Sequence, residues 1–257
     1  MNSFDYIYEK KSLIRLTNNQ LKIIAMLTML IDHIGVMLIL NGKLYGYDIQ
    51  LYSYVSVLNS ASKWMILYRV CRVIGRISFP LFAFCIVEGF IRTSNLLKYV
   101  LRLLVLAIVS EIPFNLMVNN SLFYIGSQNV IWTYLIGIIV LFLIKKANGI
   151  VVIQMIIFMS GCLVSFFAKT DYDYYGILLI TFYYLTRTDR RLRTFGNMII
   201  TGAKSLPVDY GSAALSSIFI HCYDGTKGIL NLKKIFYWFY PVHMLVLYLI
   251  VFFSYRI

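Results

Sequence analysis

Long apolar runs, broken at intervals by short polar or charged segments, dominate the chain and predict helices throughout. Apolar stretches lie near 20–41, 65–91, 95–118, 129–146, 149–168, 174–188, 196–221 and 234–255. A helix needs about 20 mostly apolar residues to cross a bilayer. The pattern therefore predicts an all-α fold: a polytopic transmembrane helix bundle of about eight spans, forming one domain over 1–257. The sixth stretch is short. The seventh is interrupted by Lys204, Pro207, Asp209 and Gly211, which suits either a broken helix or a half-span followed by a surface helix. Residues 43–63, with Tyr45, Tyr47, Tyr52 and Tyr54, are too polar to cross and are expected as an interfacial insertion.

Composition strengthens the membrane reading. Hydrophobic residues make up 60% of the chain and charged residues 14%, against about 25% charged in an ordinary soluble domain. Mean hydropathy is +0.75. The aromatic share of 16%, with 21 tyrosines and 18 phenylalanines, suits rings placed at headgroup level. The formal charge of +13 comes from Lys and Arg residues that punctuate apolar segments. They form no soluble basic domain, so no nucleic-acid partner is expected. Lys10, Lys11, Arg15, Lys22, Arg92, Lys98, Arg102, Lys145, Lys146, the 187–193 cluster and Arg256 fall on one side when the N-terminus is inside, and lipid is the expected surround. Eight spans then return the C-terminus to the cytoplasm. The polar first 15 residues precede an apolar stretch without a small-residue cleavage site, which reads as a retained helix. The four cysteines are scattered, without CxxC or metal spacing.

Several polar residues sit where hydrocarbon tolerates them poorly. Asp32 and His33 are adjacent inside the first span. A carboxylate at a bilayer centre costs roughly 2.5–3.5 kcal/mol on insertion scales, so the pair is expected to face a cavity. Thr28 and Gly35 share the Asp32 face, and Gly35 leaves room for a neighbouring backbone or a ligand. Arg69, Arg72 and Arg76 recur at spacings of three and four. Such a stripe suits snorkelling to headgroups, or a clamp for an anionic group such as a cofactor phosphate or a developing oxyanion. Glu88 and Arg92 lie one turn apart, as do Glu111 and Asn115 around Pro113. The latter position suits a cavity wall, and Asn129 is a further polar candidate at the start of the fourth span. In the last span Tyr240 and His243 flank Pro241 and Val242. If that span starts outside, His33 and His243 come within a few Å of one depth, at about 1.5 Å per residue.

No HxxxH or HxxE spacing supports a metal, and none is expected. GxxxxGK[ST], GxGxxG and GxSxG are absent, which argues against P-loop, Rossmann and serine-hydrolase chemistry.

Six segments in order resemble the TraX family, named after a conjugative-pilin acetyltransferase. They are LTNNQLKIIAMLTMLIDHIG (16–35), RVIGRISFPLFAFCIVEGFIRTSN (72–95), KYVLRLLVLAIVSEIPFNL (98–116), QNVIWTYLIG (128–137), DYYGIL (173–178) and YWFYPVHMLVL (237–247). The resemblance implies a multi-pass protein of the bacterial cytoplasmic membrane that moves an acetyl group from acetyl-CoA to an amine, such as a peptide N-terminus or an amino sugar. It implies His33, Asp32 and His243 as catalytic, with a neutral histidine as base and a carboxylate orienting a ring. Arg76, Arg92, Arg102 and Arg72 are implied as cofactor-binding. Glu111, Asn115, Tyr240 and Asn129 are implied to line the substrate cavity. Acetyl-CoA, made in the cytoplasm, would meet Arg92, Lys98, Arg102 and the 187–193 cluster there, leaving Arg76 or Tyr240 for the oxyanion. The competing expectation is a proton-coupled transporter using Asp32, His33, Glu111 and His243 as a relay.

Overall fold

A computed structural model describes residues 15–44, 63–229 and 233–255. Most of the 43–63 insertion, Lys10, Lys11 and Arg256 lie outside the described residues. The fold is all-helical. Helix α1, Asn18–Ile34, starts at a capping box: the Gln20 backbone N–H donates to Thr17 Oγ1 and the Thr17 N–H to Gln20 Oε1. It continues as a π-helix over Gly35–Leu44. Then follow α2 (Lys63–Gly75), α3 (Ser78–Arg92), α4 (Leu96–Asn119), α5 (Val130–Lys146), α6 (Val151–Phe167), α7 (Asp173–Leu185), α8 (Arg190–Asp209), a 3₁₀ turn Ser212–Leu215 running into α9 (Ser216–His221), and α10 (Lys233–Tyr255).

Every expected apolar stretch is helical. Among the described residues, four helices are long and apolar enough to cross a membrane: Asn18–Leu44, Lys63–Arg92, Leu96–Asn119 and Lys234–Ser254. The second is α2 and α3 joined through a bend at Arg76 and Ile77. Helices α5, α6 and α7 are shorter, and pack edge to edge through close approaches. A Cβ on Gly161 would meet Val140 Cγ2 at 2.3 Å, and one on Gly137 would meet Ile180 Cδ1 at 2.6 Å. Helix α6 buries only Gly161 and Ser165 and exposes Val152, Met155 and Ile156, as a helix bathed in lipid does. This is a helical membrane protein.

Residues 196–221 are broken where the sequence is interrupted, and form a helical hairpin where the eight-span count has a crossing. The buried face of α8 is polar, with Arg193, Asn197, Thr201, Ser205 and Asp209 at a strict spacing of four. Its outer face exposes Leu192, Phe195, Met198, Ile199 and Leu206. Lipid outside and polar partners inside explain this inversion. Asn197 accepts from the Tyr183 hydroxyl at 2.6 Å and donates to the hydroxyls of Ser216 (2.9 Å) and Ser217 (2.7 Å). Chain direction reverses at Tyr210–Gly211, both left-handed at φ 55° and 72°. His221 thus returns to Thr194 at 3.2 Å, and its carbonyl to Arg190. The segment enters and leaves on one side as a hairpin.

This hairpin changes the sense of the last helix. Its exit pairs with the start of α1, where Leu16 N–H donates to the Cys222 carbonyl and Asn18 N–H to the Thr226 carbonyl, each at 2.8 Å. Helix α10 begins at the same level, with Lys22 Nζ over the Phe236 ring at 5.1 Å. It ends at the level of the α4 C-cap, where the Tyr248 hydroxyl donates to Asn120 Oδ1 at 3.3 Å. So α10 runs in the same sense as α1. Its end lies opposite the start of α1, whereas eight crossings would return it to the N-terminal side.

Candidate active site

Helices α1, α3, α4, α5 and α10 and the bend at Arg76 enclose a cavity of about 1310 Å³. One mouth, at the starts of α1, α4 and α10, is ringed by Lys22, Asn95, Lys98, Arg102 and Lys227. The other is lined by Ser127, Lys169, Thr170, Asp171 and Tyr172, from the loops before α5 and α7. The cavity thus runs from one face of the bundle to the other.

His33 lines its middle. His33 Nδ1 and His243 Nε2 are 2.7 Å apart, and the rings are within 5° of parallel. His243 Nδ1 lies 2.6 Å from the Phe239 carbonyl, four residues back on α10. A carbonyl can only accept, so His243 Nδ1 carries a proton and its Nε2 a lone pair. His33 Nδ1 must then donate, which leaves the His33 Nε2 lone pair uncommitted within the pair. The hydrogen-bond network assigns both tautomers.

Asp32 takes a different partner from the one expected. Its Oδ2 accepts from Arg72 Nη1 at 2.6 Å, and neither histidine bonds to it. Its approach to α2 depends on Gly75, where a Cβ would stand 2.1 Å from Asp32 Oδ1. Gly35, the glycine on the Asp32 face in sequence, packs instead on Cys71. Arg76 donates through Nε to Asp209 at the tip of the hairpin. The Phe79 and Tyr172 rings stack beside it with centroids 3.5 Å apart.

Other expected residues separate into two groups. Arg92, Arg102 and Tyr240 line the cavity together with Arg72 and Arg76. Arg92 also clamps the hairpin exit, donating to Glu88 (2.8 Å), the Tyr223 hydroxyl (2.8 Å) and the Gly225 carbonyl (2.6 Å). Arg72 and Arg76 sit deep, toward the mouth opposite Lys98 and Arg102. Glu111, Asn115 and Asn129 are not among the residues that line this cavity. Asn129 donates to the Ala107 carbonyl at 2.9 Å and to Glu111, and Trp132 Nε1 donates to Glu111 at 3.0 Å. These groups fasten α4 to the start of α5, because the Glu111 face of α4 turns toward that helix.

Sequence reasoning missed Asp171 and Tyr172, Lys22 and Lys227 at the basic mouth, and the pairing of Asp209 with Arg76. Asp171 and Tyr172 lie between α6 and α7. Enclosure by protein lifts the Asp171 carboxyl to about 6 against the pull of Arg76, and pushes the Tyr172 hydroxyl up to about 12.

The fold and site define a helical membrane protein built around a cavity lined by His33, which is bonded to the buried His243 behind it. The chain belongs to the TraX family, whose model, described as TraX protein, matches residues 17–251. It is also similar to the probable fimbrial assembly protein FimC, serogroup H1, of Dichelobacter nodosus. The two are 24% identical over 254 residues, covering 89% of this chain and 93% of that protein. No solved structure matches.

Proposed function

We propose that this chain is a multi-pass acetyltransferase of the bacterial cytoplasmic membrane, moving an acetyl group from acetyl-CoA to an amine. The observation that carries the reading is the His33–His243 bond facing a cavity with one strongly basic mouth. Lys22, Lys98, Arg102 and Lys227 there suit the phosphates of CoA. Family membership and the similarity to a fimbrial assembly protein favour a pilin-like peptide as acceptor. The cavity's second mouth would let the acceptor approach from the opposite face.

The tautomers support a division of roles. An amine attacking the thioester carbonyl must lose a proton, and His33, which lines the cavity, keeps a lone pair on Nε2. A positioned general base supplies typically 10²–10⁴-fold. His243 fixes the ring and shares the charge that His33 acquires. When the tetrahedral intermediate collapses, the carbon–sulfur bond breaks and the CoA thiolate takes the proton from His33. Tyr240 and Arg76 are the cavity-lining donors available to the oxyanion. Asp32 acts through Arg72, holding α1 against α2 at the depth of His33.

The same cavity is what a proton-coupled transporter needs. Against that reading, Glu111 is spent on Asn129 and Trp132 outside the cavity, which breaks the relay. Purified protein given labelled acetyl-CoA and a peptide with a free N-terminus distinguishes the two. Labelled peptide supports the enzyme; proton flux into liposomes with no labelled peptide supports the transporter.

A further inference from the structure

Asp171 is the cavity group that the mechanism above does not use. It keeps an accessible carboxyl although protein surrounds it, because the surface it exposes is the cavity wall near the mouth opposite Lys98 and Arg102. Its loop is fixed from several directions. Gln128 N–H donates to the Lys169 carbonyl and Asp171 N–H to the Gln128 carbonyl, each at 2.9 Å. Thr133 donates its hydroxyl to the Asp171 carbonyl. Lys169, Tyr172 and Asp173 are held left-handed at φ 53°, 65° and 50°, which costs non-glycine residues of order 1 kcal/mol each and persists only where surroundings over-determine it.

The charges that face this carboxylate are largely committed elsewhere. Arg72 is paired with Asp32 and Arg76 with Asp209. Tyr134 of α5, Tyr240 of α10 and Tyr172 of its own loop line the cavity with hydroxyls, and Lys169 lies two residues away on the same wall. Among the described residues the carboxylate accepts the Tyr172 backbone N–H, at 3.1 Å. A carboxylate on the cavity wall, beside two arginines each already paired with another carboxylate, is a place for a cationic ligand.

Resting on the acetyl-transfer reading, we propose that Asp171 is the acceptor subsite: it pairs with the ammonium group of the incoming primary amine and takes one proton from it. The neutral amine then attacks the acetyl carbonyl and gives its second proton to His33. The CoA thiolate leaves with that proton, and Asp171 releases its own to water at the mouth. The sum is ammonium plus acetyl-CoA giving amide, CoA thiol and one proton. A carboxyl that titrates near 6 is ionised at neutral pH and still basic enough to serve as a way-station.

The test uses the full chain in nanodiscs and needs no turnover. Binding is measured for a short synthetic peptide with a free N-terminus and for the same peptide N-acetylated. Wild type should bind the free form at least 10-fold more tightly, Asp171→Asn should erase the preference, and Asp171→Glu should keep it. Equal binding of both peptides by wild type, or an undiminished preference in Asp171→Asn, overturns the subsite. A preference that depends on Asp171 in a protein that never acetylates the peptide upholds the subsite and overturns the transferase reading, so the two fail separately.

Discussion

Asp32 lies so close to the backbone of Gly75 that a methyl group there would stand 2.1 Å from its Oδ1 and 2.3 Å from its Cβ. Gly75 is therefore what lets the carboxylate of α1 reach Arg72 on α2. Gly75→Ala should push the two helices apart and break the Asp32–Arg72 pair next to His33. The expected outcome is at least a 10-fold fall in acetyl transfer, with a lowered melting temperature in detergent. Arg72→Lys keeps the charge and loses the planar fork; it should fall less in stability than Gly75→Ala. Unchanged transfer in Gly75→Ala would show that the close contact has no part in the site.

The hairpin of α8 and α9 gives a topological prediction. Single cysteines placed before α1 and after α10, in a background without the native cysteines, should react with an impermeant reagent from opposite faces. One in the 121–127 loop should react on the same face as one after α10. Labelling of both chain ends from one face would mean that residues 190–221 cross.

Asn197 joins Tyr183 to Ser216 and Ser217 inside the hairpin. Asn197→Leu leaves three buried hydroxyls short of partners, at roughly 1–3 kcal/mol each before relaxation. Thermal unfolding should shift down by several degrees, whereas Ile199→Leu on the exposed face should leave it within a degree. Equal shifts would place the polar stripe outside the packed interior.

Asp171 makes stability depend on pH in a stated direction. Its folded pKa of about 6 lies above its ordinary value of 3.8. Its contribution is therefore fully favourable below about pH 4 and lost as pH rises through 6. Asp171→Asn should raise the melting temperature at pH 7.5, by less than the full shift implies because solvent in the cavity screens the exposed carboxylate. Wild type and variant should coincide at pH 4. A variant less stable than wild type at pH 7.5 would contradict the enclosed, weakly paired carboxylate.

Much of the architecture could be read from apolar runs, because lipid-crossing helices must be continuously apolar whatever their partners. The Asp32-His33 pair and His243 were legible for a related reason: ionisable groups in such runs are costly unless something uses them. The hairpin was not legible as such. In lipid an inward polar stripe with an outward apolar face reads in sequence as a spoiled span, and only the bonds of Asn197 show it to be whole. The surroundings of Glu111, Asn115 and Asn129 were not legible, because a polar residue on a membrane helix can face a cavity or a neighbouring helix, and helical spacing alone does not choose. Asp171 carried no periodic signal, since its position comes from a loop held by Gln128 and Thr133. Gly75 needed the distance to Asp32.

The central claim is that His33, fixed by His243, is the base for acetyl transfer. Its most direct measurement is the rate of label transfer from acetyl-CoA to a free N-terminal peptide by purified wild type, His33→Ala and His243→Ala, with acetyl-CoA binding measured in parallel. The account predicts that His33→Ala loses 10²–10⁴-fold in rate, as expected for a general base, and that His243→Ala loses less. Both should bind acetyl-CoA like wild type. Near-wild-type transfer by both variants would contradict it.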